Sequence, residues 1–375
     1  MSDKFKVVTI IGTRPEIIRL SEIIKACDQH FKHILVHTGQ NYDYELNQIF
    51  FEDLNLRAPD YYLESAGEHL GETIGNVISK SYKFLSELKP DALLILGDTN
   101  SALAAISAKR LKIPIFHMEA GNRCWDWNVP EMVNRTIVDH IADINLPYTE
   151  NSRRYLLSEG VDGKTIFVTG SPMREVIAKN IEKIQKSDVL TRLNLKKNGY
   201  IVVSAHREEN VDIEENFLEL VNSINEIAKK YEVPIIYSTH PRTRKLIEKR
   251  NIIFHPLVQN VKPLGFLDYV KLQANALLVL SDSGTLTEES AILGFPGVLI
   301  RTSTERPEGL DAGTIVIGGI RSRDVLAASE LSIRISSERP VSNLPIDYAS
   351  TDVSTKVVKI LQSNVLIVKK STWFK

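Results

Sequence analysis

The sequence predicts an α/β protein made of two similar halves, each built around a buried parallel sheet. Short runs rich in β-branched residues recur along the chain, and each is followed by a longer segment with helical spacing of its apolar residues. This alternation is typical of βαβ units, in which helices cover both faces of the strands. The chain has 375 residues, of which 43% are hydrophobic and 25% are charged. At about 150 residues per domain, this length and composition fit two globular domains.

Six segments in each half are predicted to form strands. In the first half they are residues 6–11, 33–37, 92–96, 113–118, 144–147 and 165–169. In the second half they are residues 200–204, 234–238, 252–255, 276–280, 297–301 and 314–317. The pattern restarts near Tyr200 after a charged, helical stretch over residues 173–197, which predicts a domain boundary between Ser171 and Lys197. A last helix is predicted over residues 354–362.

The charge balance argues against several classes of partner. Lys and Arg number 46 against 47 Asp and Glu, which gives a formal net charge of −1. Such a chain has no basic field for the backbone of a nucleic acid or for an anionic membrane, so neither is an expected partner. Any anionic ligand must therefore be held by a few local groups.

Cysteine usage and the apolar runs predict a cytoplasmic protein. Cys27 and Cys124 are the only cysteines and have no metal-like spacing, so neither a disulfide framework nor a Cys-based zinc site is expected. The first residues lack the apolar stretch and cleavage site of a signal peptide. No apolar run approaches the roughly 20 residues that a membrane span needs.

The first predicted strand ends in G-T-R-P-E at residues 12–16, where a helix is expected to begin because Pro15 suits a first helical turn. Free backbone N–H groups at a helix N-terminus, together with the forked cation of Arg14, can hold a phosphate group. The alternative is a plain strand-to-helix turn with an exposed Arg. A G-x-G-x-x-G motif is absent here, which removes the main support for a nicotinamide cofactor.

A second candidate phosphate site follows the strand predicted at residues 276–280. Ser283 can donate its hydroxyl and Gly284 lets the backbone approach a ligand closely, at the start of another predicted helix. Thr285 and Glu288 match a capping box, so Glu288 is assigned to the cap of this helix. Glu289 is a candidate to bind a diol of the ligand, because a carboxylate can accept hydrogen bonds from two hydroxyl groups.

Arg306, in a polar loop after another predicted strand, is a further candidate for binding phosphate. A second cation would balance a diphosphate in a protein without an overall positive field. The alternative is a surface ion pair with Glu305.

Four acid–base candidates follow apolar runs and are expected at strand ends, namely Asp98, Glu119, Glu131 and His206. A side chain at such an edge is partly desolvated, which can tune it for proton transfer. For each of them the alternative is a helix cap or an ordinary surface group. The histidines show no ligand spacing, so no metal is expected.

Seven motifs, in this order along nearly the whole chain, resemble those of the non-hydrolysing UDP-N-acetylglucosamine 2-epimerases. They read G-T-R-P-E (12–16), G-D-T (97–99), H-M-E-A-G (117–121), P-E followed by N-R (130–135), H-R-E-E-N (206–210), S-D-S-G (281–284) and T-E-R-P-E (304–308). The resemblance implies the GT-B architecture, in which two Rossmann-like domains with parallel sheets face each other across a cleft. It implies an N-terminal domain over residues 1–172, completed by the helix at 354–375, a UDP-binding domain over 173–353, and a homodimer.

The resemblance also assigns site residues by position. The catalytic positions fall on Asp98, Glu119, Glu131 and His206. The positions that hold UDP fall on Arg14, Tyr269, Ser283, Gly284, Thr285, Glu289 and Arg306, with Tyr269 beside the uracil and Glu289 at the ribose. Arg19 stands where the family usually has Lys.

The reaction implied by the resemblance needs neither a metal nor another cofactor. UDP leaves UDP-N-acetylglucosamine, a 2-acetamidoglycal forms, and UDP adds back with inverted configuration at carbon 2, giving UDP-N-acetylmannosamine. Residues 17–21 and 120–135 look more like the subgroup that forms UDP-N-acetyl-L-fucosamine from a UDP-2-acetamido-2,6-dideoxy-L-hexose for surface and capsular polysaccharides. The remaining alternatives are a hydrolysing epimerase, a GT-B glycosyltransferase and a non-catalytic UDP-sugar sensor.

Overall fold

The structure is a computed structural model that describes residues 4–39, 47–127, 130–338 and 344–374. The chain divides into two compact units. The first consists of Met1–Ala178 and Asp347–Lys375, and the second of Lys179–Ile346.

Each unit contains a parallel sheet of six strands within the described residues. The first sheet has β1 (Lys6–Ile11), β2 (Lys32–His37), β3 (Tyr61–Tyr62), β4 (Ala92–Leu96), β5 (Ile115–Met118) and β6 (Ile144–Leu146) in the spatial order β3-β2-β1-β4-β5-β6. The second has β7 (Ile201–Ser204), β8 (Ile235–Ser238), β9 (Val258–Val261), β10 (Leu278–Ser281), β11 (Gly297–Leu299) and β12 (Ile315–Ile317) in the order β12-β11-β10-β7-β8-β9. Both orders are the doubly wound Rossmann order, so the expected α/β class with two Rossmann-like domains is confirmed.

Helices follow nearly every strand. In chain order they are α1 (Arg14–His30), α2 (Gln48–Asp53), α3 (Leu70–Leu88), α4 (Ala104–Arg110), α5 (Pro130–Ile141), α6 (Glu150–Ser158), α7 (Met173–Lys186), α8 (Val189–Arg192), α9 (Glu208–Val211), α10 (Glu214–Tyr231), α11 (Pro241–Lys249), α12 (Phe266–Ala274), α13 (Thr285–Leu293), α14 (Pro307–Asp311), α15 (Ser322–Glu338) and α16 (Val353–Trp373). Within the described ranges, no helix combines the length and the apolar character that crossing a bilayer demands.

The central strands are buried because helices cover both faces of each sheet. All five residues of β4 are buried, and Leu278, Val279 and Leu280 of β10 are fully inaccessible. In the first unit α16 packs against α1, with Leu361 buried. This helix is longer than the predicted 354–362 because its apolar spacing continues through V-L-I-V at 365–368.

Ten of the twelve predicted strands are confirmed, with bounds that move by at most two residues. The prediction at 165–169 is wrong: Thr165 ends a short 3₁₀ helix, and the segment makes a single bridge, from Ile166 to Asn145, beside β6. The prediction at 252–255 is also wrong, because the edge strand β9 lies at Val258–Val261 instead. The sequence V-Q-N-V has no regular alternation of apolar and polar residues, and its two central residues are exposed, as suits an edge strand. The two-residue edge strand β3 was not predicted.

Candidate active site

The predicted site residues cluster at the point where each sheet reverses its strand order. In the first unit this point lies between β1 and β4, which are followed by Arg14 and Asp98. In the second it lies between β7 and β10, which are followed by His206 and Ser283. Ligands of open α/β sheets bind beyond the carboxyl ends of strands at such a switch point. Each unit therefore presents one candidate site.

In the first unit Asp98 and Glu119 are brought together by arginines. Arg135 of α5 forms an ion pair with the carboxylate of Asp98 and donates to the backbone carbonyl of Glu119. Its Nη2 also lies 3.5 Å from Oε1 of Glu119. Arg19 of α1 forms an ion pair with Oε2 of the same carboxylate. Glu119 and both arginines are buried, whereas the Asp98 side chain is 22% exposed. The result is two carboxylates matched by two guanidinium groups.

The backbone around Glu119 has an uncommon conformation. Glu119 has φ of +60°, a left-handed value that costs a non-glycine residue of the order of 1–2 kcal/mol. Gly97 and Gly121, with φ of +72° and +79°, make the adjoining turns. A strained residue of this kind persists where its surroundings fix it, and such residues are concentrated at functional sites.

Gly121 offers a direct test of this turn. A Cβ atom at this position would collide with the backbone carbonyl of Ser152 and lie 2.8 Å from Cγ of Leu156. We expect Gly121→Ala to lower the free energy of unfolding by about 3 kcal/mol, because overpacking and a positive φ both oppose the new side chain. Denaturant unfolding measures this change. As a control, Gly160→Ala also has a positive φ, but no atom lies within 4 Å of its new Cβ. An equal loss in both variants would contradict the steric argument.

Glu131 is not at a strand end, so that expectation is wrong. It is the second residue of α5, because Pro130 suits the first helical position and starts the helix. Glu131 precedes Arg135 by one helical turn, so the two lie on the same face of α5. Glu131 therefore lies on the same helix as Arg135, the residue that contacts Asp98 and Glu119.

Arg14 begins α1, and the turn that carries it is fixed by Glu16. Oε2 of Glu16 accepts from the backbone N–H groups of Gly12 and Thr13 at 3.1 and 2.8 Å, and its Oε1 accepts from the hydroxyl of Ser101. Burial raises the pKa of the Glu16 carboxyl to about 7, although these hydrogen bonds act in the opposite direction. Glu16 thus links the turn after β1 to the loop after β4. The sequence alone does not show this role.

In the second unit Ser283, Gly284 and Thr285 form the entry to α13. Gly284 is the N-cap, and the Ser283 hydroxyl lies 2.9 Å from that of Thr285. The predicted capping box of Thr285 and Glu288 is wrong, because Thr285 is already the first helical residue. Glu288 is buried instead, with Oε2 3.4 Å from Nε of Arg306.

Arg306 belongs to a cluster of three arginines around Glu305. Nη1 of Arg306 lies 3.1 Å from Oε1 of Glu305, Nη1 of Arg301 lies 2.8 Å from Oε2, and Nη2 of Arg207 lies 3.8 Å from Oε1. Burial alone would raise the pKa of the Glu305 carboxyl, but these guanidinium charges hold it far below its usual range. A Cβ at Gly284 would collide with Oε1 of Glu305, so this carboxylate lies against the start of α13.

Glu289 and Tyr269 lie on neighbouring helices. Oε2 of Glu289 accepts from Nε2 of Gln273 at 2.6 Å, and both side chains are buried. Tyr269 precedes Gln273 by one turn of α12, so the two share a helix face. Tyr269 is half-buried against the apolar core of the second unit.

The loop of His206 is fixed by Asp282, the residue before Ser283. Oδ2 of Asp282 accepts from the backbone N–H groups of His206 and Arg207, both at 2.8 Å. It also accepts from Nδ2 of Asn210 at 3.1 Å. Nδ1 of His206 lies 3.6 Å from Oδ1 of Asp282, and the His206 ring stacks on that of His240. Asp282 therefore holds the His206 loop next to Ser283, the residue that follows Asp282 in the chain.

The sequence alone does not show which side chains hold the candidates in place. The most informative are Glu16, Arg19, His117, Arg135, Asp139, Asn210, Asp282 and Glu305. All but two lie inside the seven motifs quoted above, so motif membership was the available signal. Within the described residues, no group of three or more His, Cys, Asp or Glu side chains is arranged to hold a metal ion.

Comparison with known proteins identifies the family. Residues 25–362 match the family model described as UDP-N-acetylglucosamine 2-epimerase. A solved UDP-N-acetylglucosamine 2-epimerase from Rickettsia bellii is 46% identical, with a TM-score of 0.90 over 99% of this chain and 100% of that chain. The Methanocaldococcus jannaschii enzyme, solved in complex with UDP-GlcNAc and UDP, is 34% identical, with a TM-score of 0.89 over 95% of this chain and 99% of that chain.

The matches include an enzyme for a different sugar. The UDP-2,3-diacetamido-2,3-dideoxy-D-glucuronate 2-epimerase of Pseudomonas aeruginosa is 34% identical over 361 residues, which cover 95% of this chain and 99% of that protein. The matches favour an isomerase over a glycosyltransferase. The chain belongs to the family of UDP-N-acetylglucosamine 2-epimerases, isomerases of nucleotide sugars of the non-hydrolysing type.

Proposed function

We propose that this protein interconverts UDP-N-acetylglucosamine and UDP-N-acetylmannosamine by eliminating UDP and adding it back. The observation that carries the proposal is the pair of acidic side chains, Asp98 and Glu119, held by Arg135 in the first unit. The second unit supplies an anion site at the start of α13, where Arg306 adjoins Gly284. A relative solved with UDP-GlcNAc bound supports the choice of substrate.

The chemistry of carbon 2 sets the order of the steps. Its hydrogen lies next to an amide nitrogen and not a carbonyl, so removing this proton first is unfavourable. In the proposed sequence the bond from carbon 1 to the UDP oxygen breaks first, which gives a centre with oxocarbenium character. Loss of the proton on carbon 2 to a carboxylate then forms the carbon 1–carbon 2 double bond of a 2-acetamidoglycal. Anionic side chains stabilise the developing positive charge.

The return half of the reaction uses the same groups. A proton is delivered to the opposite face of carbon 2, and the diphosphate oxygen of UDP bonds to carbon 1 again. We assign the proton transfers to Asp98, Glu119 and Glu131, with His206 as the fourth catalytic residue. Arg14, Arg306 and the backbone at Ser283–Thr285 bind the departing diphosphate. Glu289 binds the ribose and Tyr269 packs on the uracil.

The experiment is proton NMR of UDP-N-acetylglucosamine incubated with the protein in heavy water. Deuterium at carbon 2 of the recovered UDP-sugar, with formation of the manno epimer, is the expected result. Release of free sugar would indicate a hydrolysing enzyme instead. Tight UDP binding without exchange would indicate a sensor, and turnover only after an acceptor is added would indicate a glycosyltransferase.

A substrate panel tests the choice of sugar. UDP-N-acetylglucosamine is compared with a UDP-2-acetamido-2,6-dideoxy-L-hexose and with a UDP-2,3-diacetamido uronate, the substrate class in the name of the Pseudomonas relative. We expect the highest kcat/KM with UDP-N-acetylglucosamine. A higher value with the 6-deoxy-L-sugar would replace this proposal by formation of UDP-N-acetyl-L-fucosamine.

The resemblance further suggests that the protein acts as a homodimer in the cytoplasm. The first unit has large apolar side chains that are about half exposed, among them Tyr61, Tyr62, Leu70 and Tyr82. Light scattering after gel filtration is expected to give twice the mass of the chain. A monomeric mass would contradict the dimer.

A further inference from the structure

The first unit contains a buried histidine, His117, whose two ring nitrogens each lie close to an oxygen atom. His117 is the third residue of β5 and is 0% exposed. Its Nε2 lies 2.7 Å from the carbonyl oxygen of Gly97, and its Nδ1 lies 2.9 Å from Oδ1 of Asp139 on α5. The acid–base roles proposed above do not use this side chain.

Neither partner of His117 has a proton to give. The Gly97 carbonyl can only accept a hydrogen bond. Asp139 accepts from the backbone N–H of Gly121 at 3.2 and 3.1 Å through its two oxygens, and Oδ2 lies 2.7 Å from Nη1 of Arg123. Burial alone would raise the pKa of the Asp139 carboxyl, but the hydrogen bond from His117 and the neighbouring positive charges hold it below its usual range. Asp139 is therefore a carboxylate.

The imidazole ring of His117 therefore lies between two acceptors that belong to different segments. Its Nε2 is within hydrogen-bond distance of the Gly97 carbonyl, and its Nδ1 contacts the Asp139 carboxylate. Asp139 also pairs with Arg123, whose Nη2 lies 2.7 Å from Oε2 of Glu159.

The two polar contacts of His117 connect the segments that carry the acidic residues. Gly97 immediately precedes Asp98, so its carbonyl belongs to the loop of that carboxylate. Asp139 holds the N–H of Gly121, two residues after Glu119. Asp139 also follows Arg135 by one turn of α5, the helix whose arginine pairs with Asp98.

We propose that His117 is a positioning residue of the epimerase: its buried ring fixes the Asp98 and Glu119 loops to each other and to α5. This inference rests on the proposed function, and His117 itself does not touch the sugar. Proton transfer needs catalytic groups held in a narrow range of positions, and a displacement of about 1 Å can cost about 100-fold in rate. The side chain therefore acts on the rate of exchange at carbon 2 through the two carboxylates.

Two substitutions separate the contact of His117 with Gly97 from its contact with Asp139. In His117→Gln the amide nitrogen reaches the position of Nε2 and can still donate to Gly97, but the donor to Asp139 is lost. In His117→Asn the amide nitrogen occupies the position of Nδ1 and can still donate to Asp139, but the donor to Gly97 is lost. The control is His140→Gln, an exposed histidine on the same helix as Asp139 whose Nε2 lies 3.1 Å from Glu159.

We expect both His117 variants to lower kcat for exchange at carbon 2 by about 100-fold, with UDP affinity unchanged within about threefold, because the groups proposed to bind UDP lie largely in the second unit. The control variant is expected to exchange at the wild-type rate. The stoichiometry of UDP binding counts folded sites, so the rate is expressed per UDP-binding site. An unchanged rate per UDP-binding site overturns the proposal. This includes the case in which the total rate falls only because fewer sites bind UDP.

A further readout distinguishes positioning from a general structural role. With substrate deuterated at carbon 2, the isotope effect on kcat is expected to rise in both variants, because proton transfer becomes rate-limiting. An unchanged isotope effect overturns the proposal. If wild-type protein exchanges no deuterium at all, the proposed function fails, whereas exchange by wild type and by both variants at equal rates defeats only the role of His117.

Discussion

Replacing Glu119 with Gln is expected to lower the rate of deuterium exchange at carbon 2 by about 10³-fold or more, with UDP affinity unchanged within about threefold. The amide keeps the size of the side chain but cannot take up a proton, and general acid–base catalysis contributes about 10²–10⁴-fold. Glu119 also has the strained backbone and the paired arginines expected of a preorganised catalytic group. Exchange is followed by NMR in heavy water, and UDP affinity by calorimetry.

The matched control for Glu119→Gln is Arg19→Lys. The lysine keeps a positive charge opposite Glu119, and Lys is usual at this position in the proteins that the sequence resembles. We expect this variant to retain exchange within about 10-fold. Wild-type exchange in Glu119→Gln would remove Glu119 from the mechanism. Equal losses in both variants would show that the ion pair, and not the proton-accepting carboxylate, matters.

Secondary structure was predictable because the strands are buried on both faces. Segments such as 92–96 and 200–204 are continuous apolar runs followed by helical periodicity, and a strand inside a parallel sheet has that pattern. The errors lie at sheet edges, where burial no longer shapes the sequence. β9 has two exposed central residues, and β3 consists of two exposed tyrosines. The sequence of neither strand can therefore be distinguished from that of a loop.

The candidate site was predictable as a set of positions and not as a set of contacts. The carboxyl ends of strands are evident from the sequence, and Asp98, Glu119 and Ser283 follow them as expected. The partner of Glu119 on α1 is Arg19, 100 residues earlier in the chain, and only the fold brings these side chains together. Helix caps show the same limit. Thr285 and Glu288 have the spacing of a capping box, but the backbone makes Gly284 the cap and frees Glu288 to contact Arg306.

Glu305 is the clearest case of a charge whose role appears only in three dimensions. In sequence it reads as the surface partner of Arg306, and the structure does pair the two. The same carboxylate also pairs with Arg301 and lies against the start of α13, where Gly284 leaves room for it. A diphosphate bound at this helix start would meet the same guanidinium groups. We therefore expect the carboxylate of Glu305 and the diphosphate of UDP to compete for them.

Glu305→Gln is expected to destabilise the protein without UDP by about 3 kcal/mol, because it leaves the buried guanidinium of Arg301 without its carboxylate. The pKa of Glu305 is depressed in the folded state, so this stabilisation is fully present above the unfolded-state pKa of 4.5 and is lost as pH falls below it. The difference in unfolding free energy between the wild type and this variant should therefore be largest near pH 7 and shrink below about pH 4.5. Urea unfolding at several pH values measures it.

UDP is expected to narrow the difference in stability between Glu305→Gln and the wild type. With the competing carboxylate gone, the diphosphate supplies the missing negative charge, so UDP should bind Glu305→Gln about 10-fold more tightly and raise its melting temperature by more than that of the wild type. Asp311→Asn, an exposed carboxylate at the end of α14, is the control and should change neither quantity. Weaker UDP binding by Glu305→Gln would mean that Glu305 holds Arg306 in its binding position. In that case the carboxylate organises the anion site and does not compete for it.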